Sequence, residues 1–157
     1  MTRALRRLTL PALLTTVLAG CGAPGSDTYE PGGNRIQVDA GEEFTLSVPV
    51  DTAMGEWWYL TSPDPAPDVV RGLGEREQIE ADEVVVGSGG GTDLFDFEAV
   101  GPGTTEIRLI RCPVGACAGG GSRGGPVAPS PVPSGSPAPD EKYRATVHPY
   151  TVTVRKP

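Results

Sequence analysis

Residues 44–60 read FTLSVPVDTAMGEWWYL, and this stretch decides the fold. Large apolar side chains occupy every second position from Phe44 to Val50, and this period of two predicts a strand with one buried face. A short polar break follows, and the aromatic run Trp57–Leu60 predicts a second strand. Two adjacent strands of this kind are typical of a core in which two sheets pack face to face.

Similar short strands are predicted on both sides of this stretch, separated by turns rich in glycine and proline, and no helical period occurs. The predicted strands are 35–39, 43–50, 56–61, 69–71, 84–86, 93–100, 104–111 and 150–154, with an irregular charged stretch at 72–83. This pattern predicts an all-β protein, an immunoglobulin-like antiparallel β-sandwich of seven to eight strands. Trp58 is expected to lie buried against the opposite sheet, and Trp57 to point outwards.

Residues 1–21 resemble a bacterial export signal that ends at a lipid-modified cysteine. Three arginines precede the apolar run Leu8–Val17, which would form a helix of about 15 Å, too short for a bilayer core of about 30 Å. The run ends in Leu18-Ala19-Gly20-Cys21, which resembles a lipobox. We therefore expect a lipid on Cys21 to hold the exported protein at the outer face of the bacterial cytoplasmic membrane. The alternative is an ordinary signal peptide with an incidental cysteine.

Composition divides the rest of the chain. Residues 22–34 lack apolar periodicity and predict a flexible tether, whereas residues 35–157 predict the sandwich. Within it, residues 113–141 are mostly Gly, Pro, Ser and Ala and predict a disordered insert. The insert could be an arm that contacts a partner, or a tolerated loop insertion of little energetic cost. At its root, Cys112 and Cys117 are expected to form a disulfide in an exported protein.

Charge and residue content exclude several function classes. The net charge is −7 at pH 7 and no basic stripe occurs, so we expect no nucleic-acid partner. The single histidine, His148, would have to serve any Ser–His–Asp or Cys–His catalytic arrangement, and a histidine in this position is expected to be a surface residue. The sequence contains neither a cluster of metal-ligating residues nor a phosphate-binding loop. We therefore expect a protein that is not an enzyme and needs no metal or cofactor.

Three loops resemble those of the chagasin family, whose members are immunoglobulin-like inhibitors of papain-like cysteine peptidases. The family's first loop is Asn-Pro-Thr-Thr-Gly, an aromatic residue, one further residue and Trp. Residues 51–58 read DTAMGEWW here and match it at Gly55 and Trp58. The second loop, Gly-x-Gly-Gly, is matched by residues 87–90, GSGG. The third, Arg-Pro-Trp, is approached by Arg111-Cys112-Pro113, where a cysteine intervenes and the tryptophan is absent.

The resemblance implies that a monomer blocks the cleft of a papain-like cysteine peptidase with three neighbouring loops. The first loop would lie over the catalytic cysteine and histidine, and the other two would grip the walls of the cleft. The implied inhibitory residues are Asp51, Thr52, Ala53, Met54, Gly55, Glu56 and Trp57 in the first loop, Gly87, Ser88, Gly89 and Gly90 in the second, and Arg111 and Pro113 in the third. Glu56 replaces the family's aromatic residue and Thr52 its proline. The alternative is a surface-anchored immunoglobulin-like module that binds another exported protein without inhibiting it.

Overall fold

The structure, a computed structural model, describes residues 27–33, 35–78, 90–119 and 127–157. Ten strands lie in these ranges: β1 (Asp27–Tyr29), β2 (Arg35–Asp39), β3 (Glu43–Asp51), β4 (Trp57–Leu60), β5 (Val70–Gln78), β6 (Gly90–Ala99), β7 (Gly103–Cys112), β8 (Cys117–Ala118), β9 (Ala128–Pro129) and β10 (Thr146–Arg155). Eight of them form two four-stranded sheets, in the orders β1-β3-β6-β5 and β2-β10-β7-β4, and β8 pairs with β9. Single 3-10 turns occur at Thr52–Met54 and Glu141–Tyr143.

The two sheets pack around one apolar core, which the alternating strands build. The four apolar side chains of β3 are all buried, as their period of two predicts. They pack in one cluster with Phe95 and Phe97 of β6 and with Ile107 and Leu109 of β7. The rings of Phe44 and Phe97 stack with their centroids 5.4 Å apart. The predicted all-β immunoglobulin-like sandwich is therefore confirmed.

Trp58 connects the two sheets. Its side chain is only 5% exposed, and its indole Nε1–H donates a hydrogen bond of 2.9 Å to the carbonyl oxygen of Pro49. Pro49 lies in β3 of one sheet and Trp58 in β4 of the other, so this bond crosses the core. Trp57, the preceding residue, is 49% exposed because successive side chains of a strand point to opposite faces.

Two of the four edge strands, β1 and β2, depart from the predicted antiparallel arrangement. β1 pairs with β3, and β2 with β10, in parallel, whereas the central pairs are antiparallel. β1 also lies within the segment 22–34, for which a flexible tether is predicted. Tyr29 packs edge-on against Phe44, with ring centroids 6.3 Å apart, so this part of the segment belongs to the sandwich. Three residues with one large apolar side chain are too few to show a period.

β5 is longer than predicted. It continues to Gln78 through a stretch for which the sequence predicts irregular structure, and only Val70 in it is buried. Its pairing with β6 shifts between Gly72 and Gly74, where a bulge bends the strand. An exposed edge strand shows no alternation, and its charges and bulge protect the edge from further pairing. The predicted strand 84–86 lies outside the described residues.

Both ends of the predicted disordered insert are structured. A disulfide joins Cys112 to Cys117, and β8 pairs with β9. The hydroxyl of Thr61 donates a 2.7 Å hydrogen bond to the carbonyl oxygen of Val127. Val127 is buried against Ile110 on the outer face of β7, forming a second small cluster. Composition did not predict these ordered ends. The segment has few large apolar side chains, and a disulfide and hydrogen bonds fix its ends instead. Residues 120–126 lie outside the described ranges.

The adjacent tryptophans provide a matched test of the sandwich. Trp58→Phe removes the donor to Pro49 and part of the buried volume, so the free energy of unfolding should fall by about 1–3 kcal/mol. Trp57→Phe, at an exposed position, should change it by less than about 0.5 kcal/mol. Urea unfolding followed by far-ultraviolet circular dichroism measures both. Equal losses in the two variants would contradict the assigned orientation of β4.

Candidate functional site

Three connections leave the sheets at one end of the sandwich, which we call the loop end. Asp51 pairs with Gly90 across β3 and β6, and Trp57 pairs with Cys112 across β4 and β7. The β3–β4 connection at 51–56 is loop 1, the β5–β6 connection at 79–89 is loop 2, and the start of the β7–β10 connection at 112–117 is loop 3. The register therefore brings the roots of all three predicted inhibitory loops together.

Loop 1 has a defined backbone conformation. Thr52–Met54 form a 3-10 turn, and the Asp51 carboxylate accepts a 3.1 Å hydrogen bond from the backbone N–H of Met54. Asp51 is the position that resembles the family's asparagine, and a short side-chain acceptor caps such a turn. Gly55 ends the turn at φ +66°, in the left-handed region that favours glycine. The backbone N–H of Glu56 then donates to the Asp51 carbonyl oxygen at 3.0 Å and closes the loop.

Loop 3 packs against loop 1. A β-carbon built on Gly55 would lie only 3.2 Å from the β-carbon of Val114. Gly55 is thus required both for its positive φ and for the close approach of loop 3. The Cys112–Cys117 disulfide and a 2.9 Å hydrogen bond from the N–H of Ala116 to the carbonyl oxygen of Pro113 fix the loop that carries Val114.

Glu56 and Arg111 bind each other. Arg111 donates a hydrogen bond of 2.7 Å from Nε to Oε2 of Glu56, and its Nη2 lies 2.6 Å from the same oxygen in an ion pair. Glu56 is buried and Arg111 is mostly buried, which makes this the least exposed ion pair among the described residues. Charge-assisted bonds of this kind are strong, and each partner requires the other because an unpaired buried charge is costly. The two side chains, both predicted as inhibitory contacts, join loop 1 to the end of β7.

His148 extends this polar layer into the core. Its ring packs against the indole of Trp58 with the centroids 4.9 Å apart, so it is half-buried and not the surface residue that the sequence suggests. Burial, and then the positive charge of Arg111, lower the pKa of His148. The neutral imidazole is therefore the favoured form beside the ion pair, where a second positive charge would be repelled.

The exposed surface of the loop end is apolar at its tip. Met54 is 59% exposed, and Trp57 lies at the base of the same loop with its indole half in solvent. A shallow groove beside Met54 is lined by Asp51, Met54, Glu56, Arg111, Pro113, Lys142 and Tyr143. Lys142 and Tyr143 come directly after the insert, and no motif in the sequence indicates them. Gly90 opens β6 beside Asp51, whereas Gly87, Ser88 and Gly89 lie outside the described residues.

The described residues contain no group of three or more His, Cys, Asp or Glu side chains placed to hold a metal ion. A membrane-crossing helix is likewise not found in the described ranges, where no helix is both long and apolar enough. Cys21 and the predicted export signal lie outside those ranges.

Comparison with known proteins relates the sandwich to a known family. Residues 37–113 match the model of the chagasin family peptidase inhibitor I42. Over these residues the chain is similar to the chagasin family. The resemblance found in the sequence is thereby confirmed, and the matched residues run from β2 through loop 1 to loop 3. No curated protein sequence matches the chain.

Two solved structures share the fold of this chagasin-like domain. A cysteine protease inhibitor from Entamoeba histolytica has a TM-score of 0.53 at 11% identity, covering 82% of this chain and 95% of its own. The solution structure of amebosin has the same TM-score and identity, covering 83% of this chain and 99% of its own. At this low identity the likeness establishes the fold alone, and the residues at the loop end must be argued from their own geometry.

The ion pair gives a test of how the loop end of the chagasin-like domain is held together. Arg111→Met leaves the Glu56 carboxylate without its partner and should lower the free energy of unfolding by about 1–3 kcal/mol. Adding Glu56→Gln removes the buried charge and should recover part of that loss. Urea unfolding of the single and double variants measures both effects.

The exposed pair Arg155–Asp39, with Nε and Oδ1 2.9 Å apart, is the matched control. Asp39→Asn should cost less than about 0.5 kcal/mol because solvent screens the pair. A loss from Arg111→Met no larger than this control would show that the ion pair does not fix loop 1.

Proposed function

We propose that this chain inhibits papain-like cysteine peptidases by placing loop 1 in the active-site cleft, with loops 2 and 3 against the walls. Similarity to a peptidase-inhibitor family supports the inhibitory role, and the loop end supports the mode of binding. The observation that carries the proposal is the construction of loop 1. It projects an exposed Met54 from a turn fixed at three points: the Asp51 cap, the Gly55–Val114 contact and the Glu56–Arg111 pair.

A loop fixed in this way suits an inhibitor. Binding requires side chains and backbone to lose freedom, and a loop that is already constrained by its scaffold loses less. The protein acts in this proposal by occupying the cleft and does no chemistry of its own. Its single histidine packs against Trp58 within the sandwich and is not placed beside a nucleophile among the described residues.

The second candidate is an immunoglobulin-like module that binds an exported protein without inhibiting it. The Glu56–Arg111 pair favours this alternative, because it occupies two side chains that the family resemblance assigns to the peptidase. The two candidates differ in one measurable property, which is inhibition of a cysteine peptidase by an intact loop 1.

The proposal includes export and attachment to the membrane by a lipid on Cys21, with the sandwich acting at the cell surface. The lipobox-like run before Cys21 supports it. We expect the full chain to incorporate labelled palmitate and the Cys21→Ser variant to incorporate none. Equal labelling of both forms would contradict the assigned lipid site.

Inhibition is tested with a domain lacking residues 1–21, papain and a cathepsin L-like enzyme. The intact domain should inhibit at least one of them at micromolar concentration or below. Met54→Glu places a charge at the apolar tip of loop 1, and we expect it to weaken inhibition at least about tenfold, since desolvating an unpaired charge at an interface is unfavourable. The measurement is the inhibition constant obtained with a small fluorogenic substrate.

Val100→Glu is the control for this change. Val100 is exposed in the β6–β7 turn, at the opposite end of the sandwich, and the same charge there should leave the inhibition constant unchanged. Circular dichroism of both variants verifies folding. A folded intact domain that binds neither peptidase would contradict the proposal for this class of target. Binding without loss of peptidase activity would favour the second candidate.

A further inference from the structure

Tyr143 lies where two surface grooves meet at the loop end. One groove is lined by Met54 of loop 1 and Pro113 of loop 3. The other has a volume of about 650 Å³ and runs between Val114 and the proline-rich segment 129–133. Tyr143 lines both grooves and is 45% exposed, so one face of its ring is available to a partner. The ring therefore lies between the exposed Met54 of loop 1 and the exposed Val114 at the start of the insert.

The backbone around Tyr143 is held in place. Its N–H donates to the carbonyl oxygen of Asp140 at 2.9 Å, and the N–H of Arg144 donates to that of Glu141 at 3.1 Å. The guanidinium of Arg144 also donates from Nη2 to the carbonyl oxygen of Pro139 at 2.9 Å. The ammonium of Lys142 lies 4.7 Å from the centre of the Tyr143 ring. A ring on such a short hydrogen-bonded turn can bind a partner with little loss of conformational freedom.

Exposed apolar side chains lie on both sides of the ring. Val114 and Val132 are both well exposed, and both line the larger groove with Tyr143. Met54 lies on the other side of the ring in the smaller groove. Exposed apolar side chains that are contiguous in this way mark interaction sites. Tyrosine is moreover enriched among the residues that dominate binding energy at interfaces.

We propose that Tyr143, with Val114 beside it, contacts the peptidase next to its cleft while loop 1 occupies the cleft. This inference rests on the proposed function, because the partner it commits to is the same peptidase. Its basis is proximity: Tyr143 shares the smaller groove with Met54 and the larger groove with Val114, so a body that covers Met54 also reaches the ring. Val114 of the insert and Tyr143 directly after it then contribute binding energy to the complex, and the insert is not a passive loop. The partner surface that fits is an apolar rim.

The test compares Tyr143→Ala with Tyr143→Phe in a domain that lacks residues 1–21. Tyr143→Ala should raise the inhibition constant about tenfold, mainly through faster dissociation, because hot-spot rings contribute to the lifetime of a complex. Tyr143→Phe keeps the ring and should stay within about twofold of the unchanged domain. Surface plasmon resonance with immobilised, catalytically inactive papain whose cleft is left open provides the rates, and thermal unfolding should give the same midpoint for all three proteins.

Val114→Ala and Val100→Ala form the matched pair of valine truncations. The first should weaken inhibition and the second, at the opposite end of the sandwich, should not. If the unchanged domain inhibits and Tyr143→Ala inhibits equally well, the inference is wrong while the proposed function stands. If the domain forms dimers that Tyr143→Ala abolishes without any effect on inhibition, the ring serves self-association and the inference is again wrong. Absence of inhibition by the unchanged domain overturns the proposed function and this inference together.

Discussion

The hydrogen bond from the Trp58 indole to the Pro49 carbonyl oxygen is the contact on which the loop end depends. It joins β3 to β4 across the core, and these are the two strands that carry loop 1. The indole also fills the space between the sheets and supports the ring of His148. The distance between the two ends of loop 1 cannot change without disturbing this buried side chain and the core around it, because protein interiors are packed as densely as crystals.

Glu56 occupies the position at which the first loop of the chagasin family has an aromatic residue, and here it forms an ion pair with Arg111. It also accepts a charge-assisted hydrogen bond from the Nε of Arg111, and so joins loop 1 to the end of β7. The exchange has a consequence for recognition. Two side chains are withdrawn from the surface, and the exposed apolar groups at the loop end become Met54, Trp57, Val114 and Tyr143. If the proposed function holds, specificity in this domain should differ from that of members with an aromatic first loop, since its exposed apolar side chains extend towards the insert.

The sequence allowed the fold to be predicted because its information lies in the alternation of a few strands. Phe44–Val50 and the tryptophan pair identify two facing strands, and the structure places all of these side chains as their parity requires. The missed elements have no such period: β1 has three residues, and β5 lies at an exposed edge. β1 pairs in parallel with β3, and β2 with β10. These pairings depend on the direction in which distant segments meet, which local patterns do not encode.

The candidate site could be predicted only in part, and for a similar reason. Loop motifs with fixed spacing identified Asp51, Gly55 and Arg111 as residues of the loop end, and the register brings them together. The role of Glu56 depends on a partner 55 residues away in the sequence. Tyr143 was missed because it follows a Gly- and Pro-rich segment whose composition predicts disorder, whereas a disulfide, a short ribbon and Val127 hold the ends of that segment against β7.

The central claim is that the loop end is the surface that meets the target. Hydrogen–deuterium exchange of the domain with and without an equimolar amount of catalytically inactive papain, whose cleft is left open, tests it most directly. The account predicts slower exchange in peptides covering residues 51–57 and 112–117, and unchanged exchange in the β6–β7 turn at the opposite end. Protection confined to that turn or to the β5 edge, with residues 51–57 unaffected, would contradict it.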